Sequence, residues 1–92
     1  MSSSETWTVL AEARARKALA RAPRPERERL QAALREMEQD PFAGDVVRLH
    51  EQPTAFRRRV GDWRLLFDVY RGTRLVRVRF IERRTTTTYR QR

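Results

Sequence analysis

From residue 55 onward, apolar and polar side chains alternate, and this period of two constrains the fold more than any other feature of the sequence. Three alternating segments, 56–60, 63–70 and 75–83, are separated by Gly61-Asp62 and by a turn around Gly72-Thr73. Two-residue connections that contain glycine favour tight antiparallel hairpins. The sequence therefore predicts a three-stranded antiparallel meander.

The two turns also predict which strand residues face each other. A hairpin closed by Gly61-Asp62 places Arg59 opposite Arg64, and a turn centred on Gly72-Thr73 places Asp68 opposite Arg77. One face then forms the predicted core, and Arg58 is the one charged residue on it. The residues of this face are Phe56, Arg58, Val60, Trp63, Leu65, Phe67, Val69, Val76, Val78 and Phe80. The opposite face carries Arg57, Arg59, Arg64, Leu66, Asp68, Arg77, Arg79 and Arg83.

Positive charge is concentrated in this meander. The formal net charge is +9, and residues 53–92 contain twelve basic and three acidic side chains, whereas residues 1–52 contain nine of each. In the predicted register, five of the six arginines on the polar face have no carboxylate opposite. A solvated strand face also carries charge, but it usually mixes both signs. The pairing of Arg59 with Arg64 costs stability unless an anion lies between them, so we expect a polyanion, nucleic acid first, to bind here.

The first half of the chain predicts a short strand followed by two helices. The strand covers Thr6–Leu10, and alanines and leucines then recur at helical spacing up to Ala22. Pro23 breaks this first helix, Pro25 suits the first turn of a second, and Asp40-Pro41 ends it. The predicted fold class is α+β, with an N-terminal strand, a helical hairpin and the three-stranded β-meander in one domain of residues 1–92.

Residues 41–54 are interpreted as a connector. Val46, Val47 and Leu49 are expected to dock on the core from this segment. His50 also lies here, and a lone histidine in a loop is more often incidental than catalytic.

Composition excludes several classes of site. The chain contains no cysteine and one histidine, and no acidic cluster has the spacing of metal ligands, so we expect neither a metal nor another cofactor. The segment 1–7 is polar, and no apolar run approaches the roughly 20 residues that span a bilayer. We therefore expect a cytoplasmic domain without a membrane partner.

The order of elements resembles the RelE/ParE superfamily of type II toxins over essentially the whole chain. The most specific part is the segment 56–67, which reads FRRRVGDWRLLF, followed by Arg83 with Tyr89 six residues later. The resemblance implies a RelE-like microbial ribonuclease fold. It also implies the function of a ribosome-dependent mRNA endoribonuclease that inhibits translation.

The resemblance assigns roles to individual residues. Arg64, Arg83 and Tyr89 are implied catalytic residues, and Arg57 and Arg59 hold the basic strand positions that contact RNA. Arg77 and Arg79 are expected to extend the RNA-binding surface. The implied reaction needs no metal, because the ribose 2′-OH can attack the adjacent phosphate while arginines stabilise the added charge. Arg57 and Arg59 stay protonated and are poor general bases, so the identity of the base is left open.

Two other functions remain open at this point. The ParE branch of the same superfamily implies a non-enzymatic inhibitor of DNA gyrase, and a plain nucleic-acid-binding module would also explain the basic face. Either toxic function implies a cognate antitoxin as partner, whose acidic or amphipathic segment neutralises the basic surface. The nuclease function further implies the ribosome and mRNA as partners.

Overall fold

The computed structural model describes residues 6–50 and 54–84, which form two helices and a five-stranded sheet. The elements are β1 (Thr8–Ala11), α1 (Ala13–Arg21), α2 (Arg24–Gln39), β2 (Asp45–Arg48), β3 (Phe56–Val60), β4 (Trp63–Tyr70) and β5 (Leu75–Arg83). The strand order is β1-β5-β4-β3-β2, with β1 parallel to β5 and the other pairs antiparallel. The predicted α+β class is confirmed. No helix within the described residues is long and apolar enough to cross a membrane.

The prolines delimit the two helices as predicted. Ala22 is extended because it precedes Pro23, which ends α1 after Arg21. Pro25 lies in the first turn of α2, where a missing N–H removes no helical hydrogen bond. Asp40 is extended before Pro41 and ends α2. The helical hairpin thus carries the chain from one edge strand of the sheet, β1, to the other, β2.

The core lies between the helices and one face of the sheet, called here the inner face. The helices contribute Leu30 and Met37, both fully buried, and the sheet contributes Leu65, Phe67 and Val78, also fully buried. Burying a side chain of this size stabilises a fold by about 1.5–3 kcal/mol. The apolar positions predicted on β3 and β4 lie on this face, as expected.

Residues 45–48 form a strand that the sequence did not predict. β2 pairs antiparallel with β3, and this pairing places Asp45 opposite Arg59 and Val47 opposite Arg57. Interpreting 41–54 only as a connector was therefore wrong. Four residues give too short an alternation to predict a strand, and it is the exposed edge of β3 that supplies the hydrogen-bonding partner.

A β-bulge in β5 changes the register predicted for the last strand. Phe67 faces Val78 as predicted, but Leu66 faces Phe80, so Arg79 is the extra residue. Beyond this point the two faces are exchanged: Ile81 is buried, Glu82 faces Arg64, and Arg83 faces Trp63. The predictions that Phe80 lies in the core and that Arg83 lies on the arginine face are therefore wrong.

Arg58, the misfit of the inner face, is buried with 8% of its surface exposed. Its Nη2 donates to Glu36 Oε1 at 2.5 Å, and its Nη1 donates to the carbonyl of Ala33 at 3.5 Å. Gly44 packs so closely on the guanidinium that a Cβ there would lie 2.9 Å from three of its atoms. Helix α2 and the 41–44 turn together enclose this charge.

Candidate functional site

A groove of about 520 Å³ lies on the face of the sheet opposite the core, the outer face. Strands β3, β4 and β5 each contribute side chains to it, and so do Leu49, His50 and Thr54 between β2 and β3. The residues that line this outer groove are Leu49, His50, Thr54, Arg57, Arg64, Leu66, Phe80 and Glu82. It therefore combines two guanidinium groups, a carboxylate, an imidazole and an apolar floor.

Arg64 is paired with Glu82 across the β4–β5 ladder. Its Nη2 and Nε donate to the same oxygen, Glu82 Oε1, at 3.1 and 3.3 Å. Arg59 faces Arg64 as predicted and also faces Asp45 on β2, so acidic residues flank the two arginines in a row across four strands. The prediction that these arginines have no carboxylate opposite is wrong, because it took account of neither the bulge in β5 nor the pairing of β2 with β3.

Arg57 leaves a hydrogen-bond donor unused at the groove. The side chain is 20% exposed, and its nearest acidic contact is Asp45 Oδ1, 3.9 Å from Nη2. Its Nε is buried and has no hydrogen-bond partner among the described residues. A buried donor without an acceptor destabilises a fold. An anion seated against Arg57 and Arg64 would contact the exposed outer part of the Arg57 guanidinium, since Nε itself is buried.

Leu66 and Phe80 form the apolar floor of the outer groove, and they face each other across the bulged ladder. The guanidinium of Arg14 lies 5.3 Å from the centre of the Phe80 ring, and that of Arg79 lies 6.0 Å away. Aromatic rings placed among arginines are suited to stacking on nucleobases. The floor can thus accept a flat apolar group next to the guanidinium pair.

Arg77 and Arg79 lie outside the residues that line the outer groove. Arg77 pairs with Glu12, and hydrogen bonds with Tyr70 and then Glu12 raise its pKa above the ordinary value. Arg79 lies 3.7 Å from Asp68 Oδ2 and 3.9 Å from Glu12 Oε1. These two arginines therefore belong to an ion-pair network at the β1 side of the sheet. The predicted register of Asp68 with Arg77 is confirmed.

Arg83 lies on the inner face, at the end of β5 next to α2. Its Nη2 is 3.9 Å from Glu26 Oε2, and its guanidinium lies 6.0 Å from the centre of the Trp63 ring. Trp63 Nε1 donates to Glu26 Oε1 at 2.8 Å, so the carboxylate bridges both side chains. The structure therefore brings Arg57 and Arg64 together but not Arg83. Tyr89 lies outside the described residues.

Solved structures with the same architecture identify the fold. A chain of the archaeal RelE–RelB complex from Pyrococcus horikoshii superimposes with a TM-score of 0.78 at 22% identity, covering 88% of this chain and 98% of that one. The toxin–antitoxin complex RelBE2 from Mycobacterium tuberculosis gives 0.74 at 21% identity, covering 86% and 99%. The isolated Escherichia coli RelE toxin gives 0.73 at 20% identity, covering 90% of each chain. The fold is that of the RelE toxins. No protein-family model and no curated protein sequence matches the chain.

Within this RelE fold, two polar residues of the outer groove were missed from the sequence. The polar face predicted for the meander did not include Glu82, and His50 was interpreted as incidental. Phe80 and Ile81 are adjacent apolar residues, and a strand with regular alternation would bury one of them and expose the other. This break in the pattern is the signal that could have shown the change of face. We find no comparable signal for His50, since its position depends on β2 pairing with β3.

Proposed function

We propose that this chain is the toxin of a type II toxin–antitoxin pair and acts as a ribosome-dependent mRNA endoribonuclease. The RelE fold supports a toxin of this kind. The observation that carries the proposal to RNA is that one groove brings the guanidinium groups of Arg57 and Arg64 together with the apolar side chains of Leu66 and Phe80. A phosphodiester offers hydrogen-bond acceptors to both arginines, and guanidinium groups bind phosphate with two parallel hydrogen bonds.

The proposed reaction is attack of a ribose 2′-OH on its own 3′-phosphate. Arg57 and Arg64 bind the non-bridging oxygens and stabilise the charge that builds up on phosphorus. The products are a 2′,3′-cyclic phosphate and a free 5′-OH. Phe80 and Leu66 offer the neighbouring base an apolar surface, which would hold the scissile phosphate over the arginines.

The remaining arginines have lesser proposed roles along the same face. Arg59 is exposed beside Arg64 in the cross-strand row, where it can contact the next phosphate. Arg77 and Arg79 extend the basic surface toward β1, although Glu12 and Asp68 neutralise part of their charge. The catalytic roles of Arg83 and Tyr89 stay predictions. For Arg83, such a role requires its side chain to leave Glu26 and Trp63.

Two classes of partner follow from the proposal. The ribosome presents the mRNA, and a cognate antitoxin keeps the toxin inactive until it is removed. An acidic antitoxin segment over the outer groove would compete with RNA for Arg57 and Arg64. We expect an adjacent short reading frame to encode such a segment.

The test is induced expression of the chain, followed by mapping of mRNA ends and measurement of protein synthesis. The parent should arrest translation and leave breaks in translated mRNA. Arg64→Ala should lower the cleavage rate by about 10²–10³-fold, the usual effect of removing one charge-stabilising donor. Arg24→Ala is the matched control, because Arg24 is an exposed arginine of α2 whose one ion pair among the described residues is with its helix neighbour Glu28.

Intact mRNA would contradict the proposed function. DNA damage and filamentation with intact mRNA would indicate a ParE-like inhibitor of gyrase. Harmless expression would indicate a nucleic-acid-binding module without toxicity. Equal toxicity of the Arg64→Ala and parent proteins would reject the assignment of Arg64.

A further inference from the structure

We infer that Glu82 and His50 are the general base and the general acid of the proposed reaction, an inference that rests on the proposed function. Both line the outer groove with Arg57 and Arg64. The reaction needs a group that accepts the 2′-OH proton and a group that donates a proton to the leaving 5′-oxygen. Arginine cannot serve as either at neutral pH, whereas a carboxylate and an imidazole can.

The strand order places the two groups on opposite sides of the arginines. Glu82 comes from β5, Arg64 from β4 and Arg57 from β3, and His50 follows β2 beyond β3. A phosphate bound by the two arginines would therefore have the carboxylate on one side and the imidazole on the other. In-line displacement requires this arrangement, because the attacking and leaving oxygens lie on opposite sides of phosphorus.

The Arg64–Glu82 ion pair leaves one carboxylate oxygen available. Both hydrogen bonds from Arg64 reach Oε1, and no hydrogen bond or ion pair within the described residues involves Oε2. The ion pair fixes the direction of the carboxylate, and Oε2 is positioned to accept a proton. Arg64 thus has two tasks, since it orients the base and binds the phosphate.

Each proton and bond in the proposed step is accounted for. Glu82 Oε2 takes the 2′-OH proton while the 2′-oxygen forms its bond to phosphorus. The bond from phosphorus to the 5′-oxygen breaks, and the protonated imidazole of His50 gives its proton to that oxygen. Exchange with solvent then restores the carboxylate and the imidazolium, and no oxidant, reductant or metal takes part.

The pH dependence of single-turnover cleavage tests the two roles on ribosomes programmed with a defined mRNA. A base must be deprotonated and an acid protonated, so the parent rate should rise and then fall with pH. Glu82→Gln should remove the rise, and His50→Gln should remove the fall. Each should lower the maximal rate by about 10²-fold or more. The charged residue opposite Glu82 is Arg64, and Arg57 lines the same groove as Glu82 and His50.

A modified substrate separates proton donation by His50 from a structural role. An mRNA with sulfur in place of the scissile 5′-oxygen has a leaving group that needs no proton. On this substrate His50→Gln should cleave within about threefold of the parent, while Glu82→Gln stays slow. Glu82→Asp should regain part of the rate, because it keeps the carboxylate. Glu28→Gln is the matched control, since Glu28 forms an exposed ion pair with Arg24 on α2.

The outcomes distinguish the two hypotheses. If the parent leaves the mRNA intact, the proposed function fails and the inference fails with it. If the parent cleaves but both variants keep its rate and pH profile, the inference is overturned and the proposed function stands. Failure of the sulfur substrate to restore His50→Gln would remove His50 from the acid role. Unfolding temperatures of the variants, expected to match the parent because both side chains reach solvent, would exclude misfolding.

Discussion

Arg64 and Glu82 face each other across β4 and β5 because a bulge at Arg79 shifts the register by one residue. Without the bulge, Ile81 would lie opposite Arg64, Glu82 would point toward the helices and Arg83 would lie on the outer face. The bulge thus places a carboxylate opposite Arg64 and moves one guanidinium to the inner face. This single change of register alters both the charge of the groove and the proton chemistry it can support.

Removing the charge of Glu82 should strengthen RNA binding even as it slows cleavage. The carboxylate competes with phosphate for Arg64 and repels the RNA backbone. We expect Glu82→Gln to lower the Kd for an RNA with a 2′-deoxy scissile site by about two- to fivefold, the range for a partly exposed ion pair. Fluorescence anisotropy measures this change. Glu28→Gln should leave the Kd unchanged, and weaker binding by Glu82→Gln would contradict the competition.

Arg57 should account for one phosphate contact in the salt dependence of RNA binding. Each contact with single-stranded RNA contributes about 0.7 to the slope of log K against log salt. Arg57→Gln should therefore reduce that slope by about 0.7 and weaken binding of different sequences to a similar extent. Arg24→Gln should not alter the slope. An unchanged slope in Arg57→Gln would show that Arg57 does not contact phosphate.

Gly44 is expected to be the least tolerant of the three glycines. Its φ is +82°, and an added Cβ would lie 2.9 Å from the Arg58 guanidinium. Gly44→Ala should lower the free energy of unfolding by about 2–4 kcal/mol, which combines left-handed backbone strain with displacement of a buried charge. Urea denaturation measures this loss.

Two control substitutions separate those contributions. Gly61 has a φ of +60° but no atom within 4 Å of an added Cβ, so Gly61→Ala should cost about 1–2 kcal/mol. Gly72 has neither constraint, so Gly72→Ala should be near neutral or slightly stabilising. A loss at Gly44 no larger than that at Gly61 would mean that Arg58 moves aside without loss of stability.

Removing the carboxylate that pairs with the buried Arg58 should lower the free energy of unfolding more than replacing Arg58 itself. Glu36→Ala leaves Arg58, whose side chain is 9% exposed, without its carboxylate partner. It should destabilise the fold by about 1–2 kcal/mol, reduced from the fully buried case because the Glu36 side chain is 59% exposed. Arg58→Met keeps most of the volume and should cost less than about 1 kcal/mol. Thermal unfolding ranks the two, with Glu38→Ala on the same helix as control. The opposite ranking would mean that the charge itself stabilises the fold.

Local sequence was sufficient to predict both helices, the three long strands and the faces of β3 and β4. Pro23, Pro25 and Pro41 restrict the backbone wherever they occur, and the Gly61-Asp62 turn fixes the β3–β4 register by its length. Arg57, Arg59 and Arg64 were correctly placed on one face for this reason. These features depend on residues close together in the chain.

Tertiary structure decided which residues complete the outer groove. Phe80 and Ile81 are adjacent apolar residues, and the local pattern does not determine which of them is buried. Packing against the helices buries Ile81, and the resulting bulge places Phe80 and Glu82 on the outer face. His50 reaches the groove only because β2 pairs with the edge of β3. The sequence thus determined that Arg57, Arg59 and Arg64 share a face, whereas contacts between distant segments moved Arg83 off that face and decided that a carboxylate and an imidazole line the groove.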